Sequence, residues 1–120
     1  MESAHAWQRA LQAGQKIVVT VASDSMAPTL RAGQTVVVRP GRATIGDVVL
    51  IRGANLPTLH RLVARISLLG YARFVHAGDA PGAVPGRCRV GDVLGVAEVA
   101  PRVPAPIAQL VACARAIVRL

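Results

Sequence analysis

The chain has 120 residues, of which 52% are hydrophobic and only 2% aromatic, and its formal net charge is +8. This length fits one small domain, expected to span residues 1–120, with a core of aliphatic side chains. The basic residues are scattered, and neither a helix-turn-helix pattern nor a zinc spacing accompanies them, which argues against nucleic acid as a partner.

No apolar run reaches the ~20 residues that cross a bilayer, and the N-terminus lacks the basic start and apolar stretch of a secretion signal. We therefore expect a cytoplasmic or peripheral membrane protein. Cys88 and Cys113 are too few for a disulfide scaffold. Together with His5, His60 and His76 they show none of the usual ligand spacings, so we expect neither a metal nor a cofactor.

The N-terminal segment predicts a short amphipathic helix. Ser3 can cap it, and Gly14 supplies its C-terminal stop. Ala4, Trp7 and Leu11 recur at three- and four-residue spacing and form one apolar stripe. We expect this stripe to pack on the domain, and contact of the Trp7 face with lipid is the alternative.

Seven runs of β-forming residues follow, separated by Gly and Pro. The predicted strands cover residues 16–22, 35–39, 48–52, 58–69, 71–77, 87–90 and 93–99. The unbroken apolar third run predicts burial on both faces. Most strands are joined by short turns, so the sheet should be largely antiparallel. The breakers within residues 78–86 predict an extended loop.

Residues from 107 onward predict a C-terminal helix with one apolar face. About fifteen residues at ~1.5 Å each cannot cross the hydrocarbon core, so this helix should dock on the domain or lie on a surface. The expected architecture is mainly β with a short helix at each end.

Residues 23–30 read Ser-Asp-Ser-Met-Ala-Pro-Thr-Leu and contain the candidate nucleophile, Ser25. The preceding β-formers and the following Pro28 place Ser25 where a strand gives way to a turn, held rigidly yet accessible. The octapeptide resembles the nucleophile signature of signal peptidases and of the related LexA-type self-cleaving repressors. Residues 46–49, Gly-Asp-Val-Val, resemble a second box of that family, and the resemblance covers residues 17–99.

A serine hydroxyl needs a neighbouring base to become a nucleophile. In bacterial signal peptidases and LexA-type proteins the base is a lysine downstream of the serine, whereas Lys16, the single lysine here, lies upstream. His60 occupies the place of that lysine. This order resembles the endoplasmic-reticulum and archaeal signal peptidases, whose triad reads Ser, His, Asp. A neutral imidazole with a pKa near 6.5 can take the proton and return it.

Asp79 is the expected third member, because Gly78-Asp79 resembles the Gly-Asp box of the family, and its carboxylate could orient the His60 ring. The match departs from the pattern at Ala80, where asparagine is typical, and at Pro85, roughly where a second acid is expected.

Two other residues remain open as alternatives. His76 could be the base in place of His60, and Asp92 is the reserve third member. We expect Asp24 and Asp47 to be structural.

The resemblance also assigns the oxyanion donors, namely the hydroxyl of Ser23 and the backbone N–H of Ser25. It implies that Met26 forms a wall of the substrate groove, although its spacing fits a core methionine equally well.

The function that the resemblance implies is a serine endopeptidase that forms an acyl-enzyme at Ser25 with His60 as general base. Its partner would be a peptide, leader or precursor protein with small residues before the scissile bond, bound as an added strand. One alternative is a non-catalytic peptide-binding or dimerisation module on the same fold. Another is a LexA-like regulator that cuts its own Ala13–Gly14 bond. The sequence leaves the oligomeric state open.

Overall fold

The computed structural model describes residues 4–54 and 56–99. This part of the chain contains, in order, α1 (Ala4–Gln12), β1 (Ile17–Thr20), β2 (Thr35–Arg39), β3 (Val48–Ile51), β4 (Thr58–Leu68), β5 (Tyr71–Ala77), β6 (Gly86–Arg89) and β7 (Val93–Ala97). A short 3-10 turn, Val90–Asp92, joins the last two strands. The Ser3 cap and the predicted C-terminal helix lie outside the described residues.

The seven strands form one sheet in the order β1-β2-β7-β3-β4-β5-β6. All six pairings are antiparallel, which confirms the predicted mainly β, largely antiparallel fold. β7 returns from the far end of the sheet to lie between β2 and β3, so β1 and β6 become the edges of the described sheet.

β3 is buried on both faces, as its unbroken apolar run predicts. Val48 and Leu50 join a core cluster that includes Met26, and Val49 and Ile51 join a second cluster on the other face. The alternation of side chains along a strand divides these four residues between the two clusters. Both clusters are largely aliphatic, as the composition predicts.

The glycine after α1 stops the helix as predicted. Gly14 has a φ of 83°, its N–H donates to the Leu11 carbonyl at 3.0 Å, and the Gln15 N–H donates to the Ala10 carbonyl at 2.9 Å. This pair of bonds is the Schellman arrangement, which satisfies the last carbonyls of a helix. The buried Leu11 and the half-buried Trp7 pack this helix against the sheet, in line with the predicted core contact.

β4 and β5 form the longest hairpin, with a two-residue turn at Leu69 and Gly70. Both turn residues have positive φ, 52° and 82°, as a primed hairpin turn requires. β5 has the predicted bounds, and β4 ends one residue early because Leu69 belongs to the turn. A register shift between Leu62 and Ala64 sets which residues of β4 face β5 near the site described below.

Other strand ends differ by one or two residues from the sequence prediction. β1 ends at Thr20, and Val21 bonds to the Gln34 carbonyl at 2.8 Å beyond the last ladder pair. β7 ends at Ala97.

The described part of the chain contains no helix with the length and hydropathy of a membrane span.

Candidate active site

The loop that contains Ser25 is a series of turns anchored at both ends. Met26 is 1% exposed and packs in the core with Val21 and Leu30. Asp24 fixes the turns through its backbone carbonyl, which accepts from the Ala27 N–H at 3.0 Å, and through its carboxylate, which accepts from the Ala32 N–H at 2.9 Å. Asp24 is therefore structural, and the anchors hold Ser25 at a defined place.

Ser25 and Ser23 lie side by side at the surface of this loop. The Ser23 hydroxyl donates to the Ser25 oxygen at 3.2 Å, and the Ser25 backbone N–H donates to the Ser23 oxygen at 3.4 Å. Both groups that the resemblance names as oxyanion donors are thus adjacent to the candidate nucleophile. Their role in binding an oxyanion stays a prediction.

Ser25 lines a mostly apolar cleft of about 660 Å³. The cleft is bounded by the helix residue Trp7, by β1 and the chain that follows it, and by the start of β4 at Thr58 and Leu59. Met26 forms part of the same wall and is also a core residue. Its role in a substrate groove stays a prediction. A cleft of this size and lining is typical of a ligand site.

The chain just after β5 lies against the backbone of Ser25. The Ala80 N–H donates to the Ser25 carbonyl at 3.0 Å. A methyl group at Gly78 would collide with that same carbonyl oxygen and would lie 3.4 Å from the Ser25 Cβ. Glycine is required at position 78 because the two backbones approach so closely.

His60 and His76 form a pair on neighbouring strands. Their Nδ1 atoms are 2.8 Å apart and their ring centroids 5.0 Å apart, and both rings are half-buried. In the described part of the chain, neither imidazole makes a hydrogen bond to the Ser25 hydroxyl. The predicted partners Ser25 and His60 are therefore not joined by a hydrogen bond within this part of the chain, and their pairing stays a prediction.

The sheet geometry relates the histidine pair to Ser25. Residues 76 and 78 are two apart along the chain, so a side chain at position 78 would point to the same face as His76 if the strand pattern continues. The carbonyl group and the Cβ of Ser25 occupy the space into which a side chain at position 78 would extend. Two residues along a strand correspond to roughly 7 Å between positions 76 and 78. Leu59 of the cleft wall pairs with Leu50, whereas His60 pairs with Val49 of the second core cluster, so the His60 side chain leaves β4 on the face opposite to Leu59.

Burial changes the proton affinity of both rings. It lowers the pKa of His60 below its ordinary value, against the opposing charge of Asp79. It lowers the pKa of His76 to about 4, and the positive charge on His60 acts in the same direction. Because desolvation disfavours the charged form, the surroundings of both imidazoles favour the neutral ring, which is the state that a general base requires.

Asp79 is bound by an arginine. The Arg61 Nε donates to one carboxylate oxygen at 2.9 Å, and a terminal guanidinium nitrogen donates to the other at 2.7 Å. The Thr29 hydroxyl, from the Ser25 loop, donates to the same carboxylate at 2.5 Å. The side chains of Arg61 and Asp79 are 3% and 7% exposed. The role of Asp79 as the orienting acid for His60 stays a prediction.

Arg61 is the residue of this region to which the sequence argument gave no role. It is 2% exposed, and it also donates to the Gly46 carbonyl at 2.7 Å. The available signal was an arginine within the apolar stretch of residues 59–63, because a buried charge needs an opposite charge nearby. Alternation along β4 then places Arg61 on the face opposite to His60.

The other acids of the site prediction are bound elsewhere. Asp92, the reserve third member, accepts from the Arg89 N–H at 3.0 Å in the turn between β6 and β7. Asp47 accepts from the Thr44 N–H at 2.7 Å, in keeping with its expected structural role. Within residues 4–54 and 56–99, no group of three His, Cys, Asp or Glu side chains could hold a metal ion.

Comparison with known proteins gives one family. The family model described as Peptidase S24-like matches residues 2–68, a segment that includes α1, β1 to β4, the Ser25 loop and His60. No curated protein and no solved structure matches the chain. Since the matched segment is more than half of the chain and folds into the antiparallel strands described above, the chain belongs to the Peptidase S24-like family.

Proposed function

We propose that this protein is a serine endopeptidase of signal peptidase-like type, with Ser25 as nucleophile and His60 as general base. The observation that carries the proposal is the position of Ser25, which the buried Met26 holds at the wall of an apolar cleft and on whose carbonyl the chain after the His76 strand packs. The family supports a peptidase or a self-cleaving protein. The signal peptidase-like type rests on the resemblance of the residues.

The reaction would begin with attack of the Ser25 oxygen on the carbonyl carbon of a peptide bond. The hydroxyl proton passes to His60, the tetrahedral intermediate collapses, and His60 returns the proton to the leaving amine. Water then releases the peptide from the acyl-enzyme. The Ser25 N–H and the Ser23 hydroxyl would bind the oxyanion, and one such donor is typically worth about 3 kcal/mol of barrier.

Bond formation between Ser25 and His60 would require movement on binding. The Ser25 oxygen now accepts from Ser23, and neither imidazole bonds to it among the described residues. Catalytic hydrogen bonds are often incomplete in an unliganded site and tighten only with substrate. Rotation of the Ser25 hydroxyl away from Ser23 would free the Ser25 oxygen for His60. It would also free the Ser23 hydroxyl, which is the proposed oxyanion donor.

A peptide in extended form suits the cleft. β1 is an edge of the described sheet, and the chain after it leads directly to Ser25. Val18 on β1 and Leu56 opposite are 64% and 65% exposed, and both line the cleft. A substrate strand could pair with the free edge of β1 and cover these side chains. The preference for small residues before the scissile bond follows from the resemblance.

Cleavage of a peptide library tests this proposal. The purified protein is incubated with peptides whose cut sites can be mapped by mass spectrometry, beside the Ser25→Ala variant. We expect cuts after small residues with wild type and none with the variant. Cuts that persist in Ser25→Ala, or an absence of cuts from every peptide, would contradict the proposal.

A second candidate function is peptide binding without turnover. It is favoured by the lack of an imidazole bond to the Ser25 hydroxyl among the described residues and by the bonds that Asp79 makes to Arg61. In the same library experiment this function predicts bound but uncut peptides.

The self-cleaving alternative is opposed by the state of the Ala13–Gly14 bond. The N–H groups on both sides of this bond donate to helix carbonyls, Ala13 to Arg9 at 3.0 Å and Gly14 to Leu11 at 3.0 Å. The bond would have to leave the helix end before it could be cut. Self-cleavage predicts loss of the intact mass on incubation, whereas the endopeptidase proposal predicts a stable one.

A further inference from the structure

We propose that His76 is the positioning residue that fixes the ring of His60 through the hydrogen bond between their Nδ1 atoms. This inference rests on the proposed function and deepens it. It assigns to a histidine the place that the family resemblance gives to Asp79, and so describes a Ser-His-His arrangement for this chain.

The first step of the argument is the geometry of the pair. Two Nδ1 atoms at 2.8 Å require one proton between them, so one ring is the donor and the other the acceptor. A neutral ring that donates from Nδ1 has its lone pair on Nε2, whereas a ring that accepts at Nδ1 carries its proton on Nε2. The bond therefore fixes the tautomer of both rings.

The second step decides which ring donates. Only a His60 ring that donates from Nδ1 leaves a lone pair on its Nε2, and the proposed general base needs that lone pair. Arg61 lies beside Asp79 and faces away from the pair on β4. We therefore assign the Nδ1 proton to His60. Its Nε2 lone pair is then free to accept the proton of Ser25.

The third step is the packing of the His76 ring against β6. Gly86 on β6 is the register partner of His76. A methyl group at position 86 would lie 2.7 Å from the His76 Cε1 and 3.0 Å from its Nε2. The ring therefore rests directly on the β6 backbone, and only glycine leaves room for it. A side chain held between a neighbouring strand and His60 is well placed to orient a catalytic ring.

The fourth step is that other groups already bind the Asp79 carboxylate. Two guanidinium bonds and the Thr29 hydroxyl already bind its carboxylate. Reorienting it toward His60 would break a buried ion pair, which is strongly unfavourable. The imidazole of His76 already makes the bond that a triad carboxylate would make.

Nitrogen-15 NMR of the histidine rings tests the pair directly and without any substrate. At pH 7 we expect His60 to carry its proton on Nδ1, His76 to carry its proton on Nε2, and a coupling between the two Nδ1 atoms across the hydrogen bond. A His60 ring protonated on Nε2, with no such coupling, would overturn the proposal.

Substitutions at position 76 test the role in activation, with the rate of Ser25 labelling by a fluorophosphonate as readout. The Oδ1 of His76→Asn can replace the Nδ1 acceptor, so we expect a rate within about 3-fold of wild type. His76→Leu removes the acceptor, and we expect a loss of at least about 10-fold, against ~10⁴ for loss of the triad acid elsewhere. Equal rates for the two variants would overturn the proposal.

A charge at position 76 gives a readout that a merely structural role would not move. His76→Asp should raise the pKa of His60, because an opposite charge favours the protonated ring. When the rate of Ser25 labelling is measured against pH, its fall on the acid side should shift to higher pH. An unshifted fall contradicts the proposal.

Gly86→Ala, which displaces the His76 ring, should slow labelling of Ser25. Gly91→Ala, whose added methyl group meets no atom within 4 Å, should not.

The outcomes separate this inference from the proposed function. If the fluorophosphonate leaves wild-type Ser25 unmodified, the peptidase proposal fails and the positioning role fails with it. If Ser25 is modified but His76→Leu reacts as fast as wild type, the peptidase proposal stands and only the role of His76 is lost.

Discussion

Arg61 and Asp79 form a buried, two-pronged ion pair that joins β4 to the chain after β5. Thr29 adds the Ser25 loop to the same carboxylate. This one acid therefore connects three segments around the candidate nucleophile. Asp79 is held by Arg61, the neighbour of His60 on β4, which explains how the charge of the acid can influence the His60 ring.

Breaking this pair should strongly destabilise the fold. Arg61→Leu leaves the Asp79 carboxylate buried without its main partner, and such losses typically cost about 3–5 kcal/mol. Urea unfolding measures the change in the free energy of unfolding. The matched control is Lys16→Ala, which removes an exposed pair with Glu98 at 2.7 Å and should cost less than about 1 kcal/mol. Equal losses in the two variants would show that the buried pair has no special role.

Adding one methyl group at Gly78 should displace Ser25. Gly78→Ala would drive a Cβ into the Ser25 carbonyl, and neither backbone can yield cheaply. We expect a loss of about 1–3 kcal/mol in unfolding free energy, as for other overpacked sites, together with slower labelling of Ser25. Gly91→Ala is the control. Wild-type stability and labelling in Gly78→Ala would refute the close approach.

The histidine pair should make the fold sensitive to acid. The folded-state pKa values of both rings lie below the unfolded value of 6.5, so the unfolded state binds more protons in that range. The stability that depends on the two histidine rings being neutral is fully present above pH 6.5. It is lost as the pH falls from there toward about 4, the pKa of His76.

Urea midpoints between pH 4 and 8 measure this effect. Acidic side chains also titrate near pH 4, so the informative quantity is the difference between wild type and His76→Asn. The variant should lose less stability between pH 6.5 and 4. A difference that stays constant with pH would contradict the inferred environment of the pair.

Cys88 should be inert toward thiol reagents in the folded protein. The side chain is buried, and burial together with the nearby charge of Asp92 raises its pKa to about 11. At pH 8 almost none of it is thiolate, the reactive form. Iodoacetamide followed by peptide mapping should find Cys88 unmodified in the native protein and modified in urea. Rapid native modification would contradict the buried position.

Much of the fold follows from local sequence signals. Gly14 ends α1, the turn at Gly70 sets the β4–β5 hairpin, and the apolar run of β3 predicts its central position, because each signal acts within a few residues. The position of β7 between β2 and β3 is different. It depends on which edges of the sheet remain unpaired, and no local pattern encodes that.

The sequence marks a candidate site but does not predict the bonds within it. The octapeptide around Ser25 and the position of His60 identify the region from sequence. The partners of His60 and Asp79 depend on the register shift between Leu62 and Ala64, and on contacts between strands far apart in sequence. A one-residue slip turns every side chain to the other face, so spacing alone could not choose between His76 and Asp79.

The measurement that bears most directly on the central claim is the site and rate of fluorophosphonate labelling at pH 7.5. We predict a single adduct on Ser25, formed at least about 100-fold more slowly in His60→Leu, since a general base typically contributes 10²–10⁴-fold. A Ser25 that stays unmodified in wild type, or that reacts equally fast without the His60 imidazole, would contradict the account.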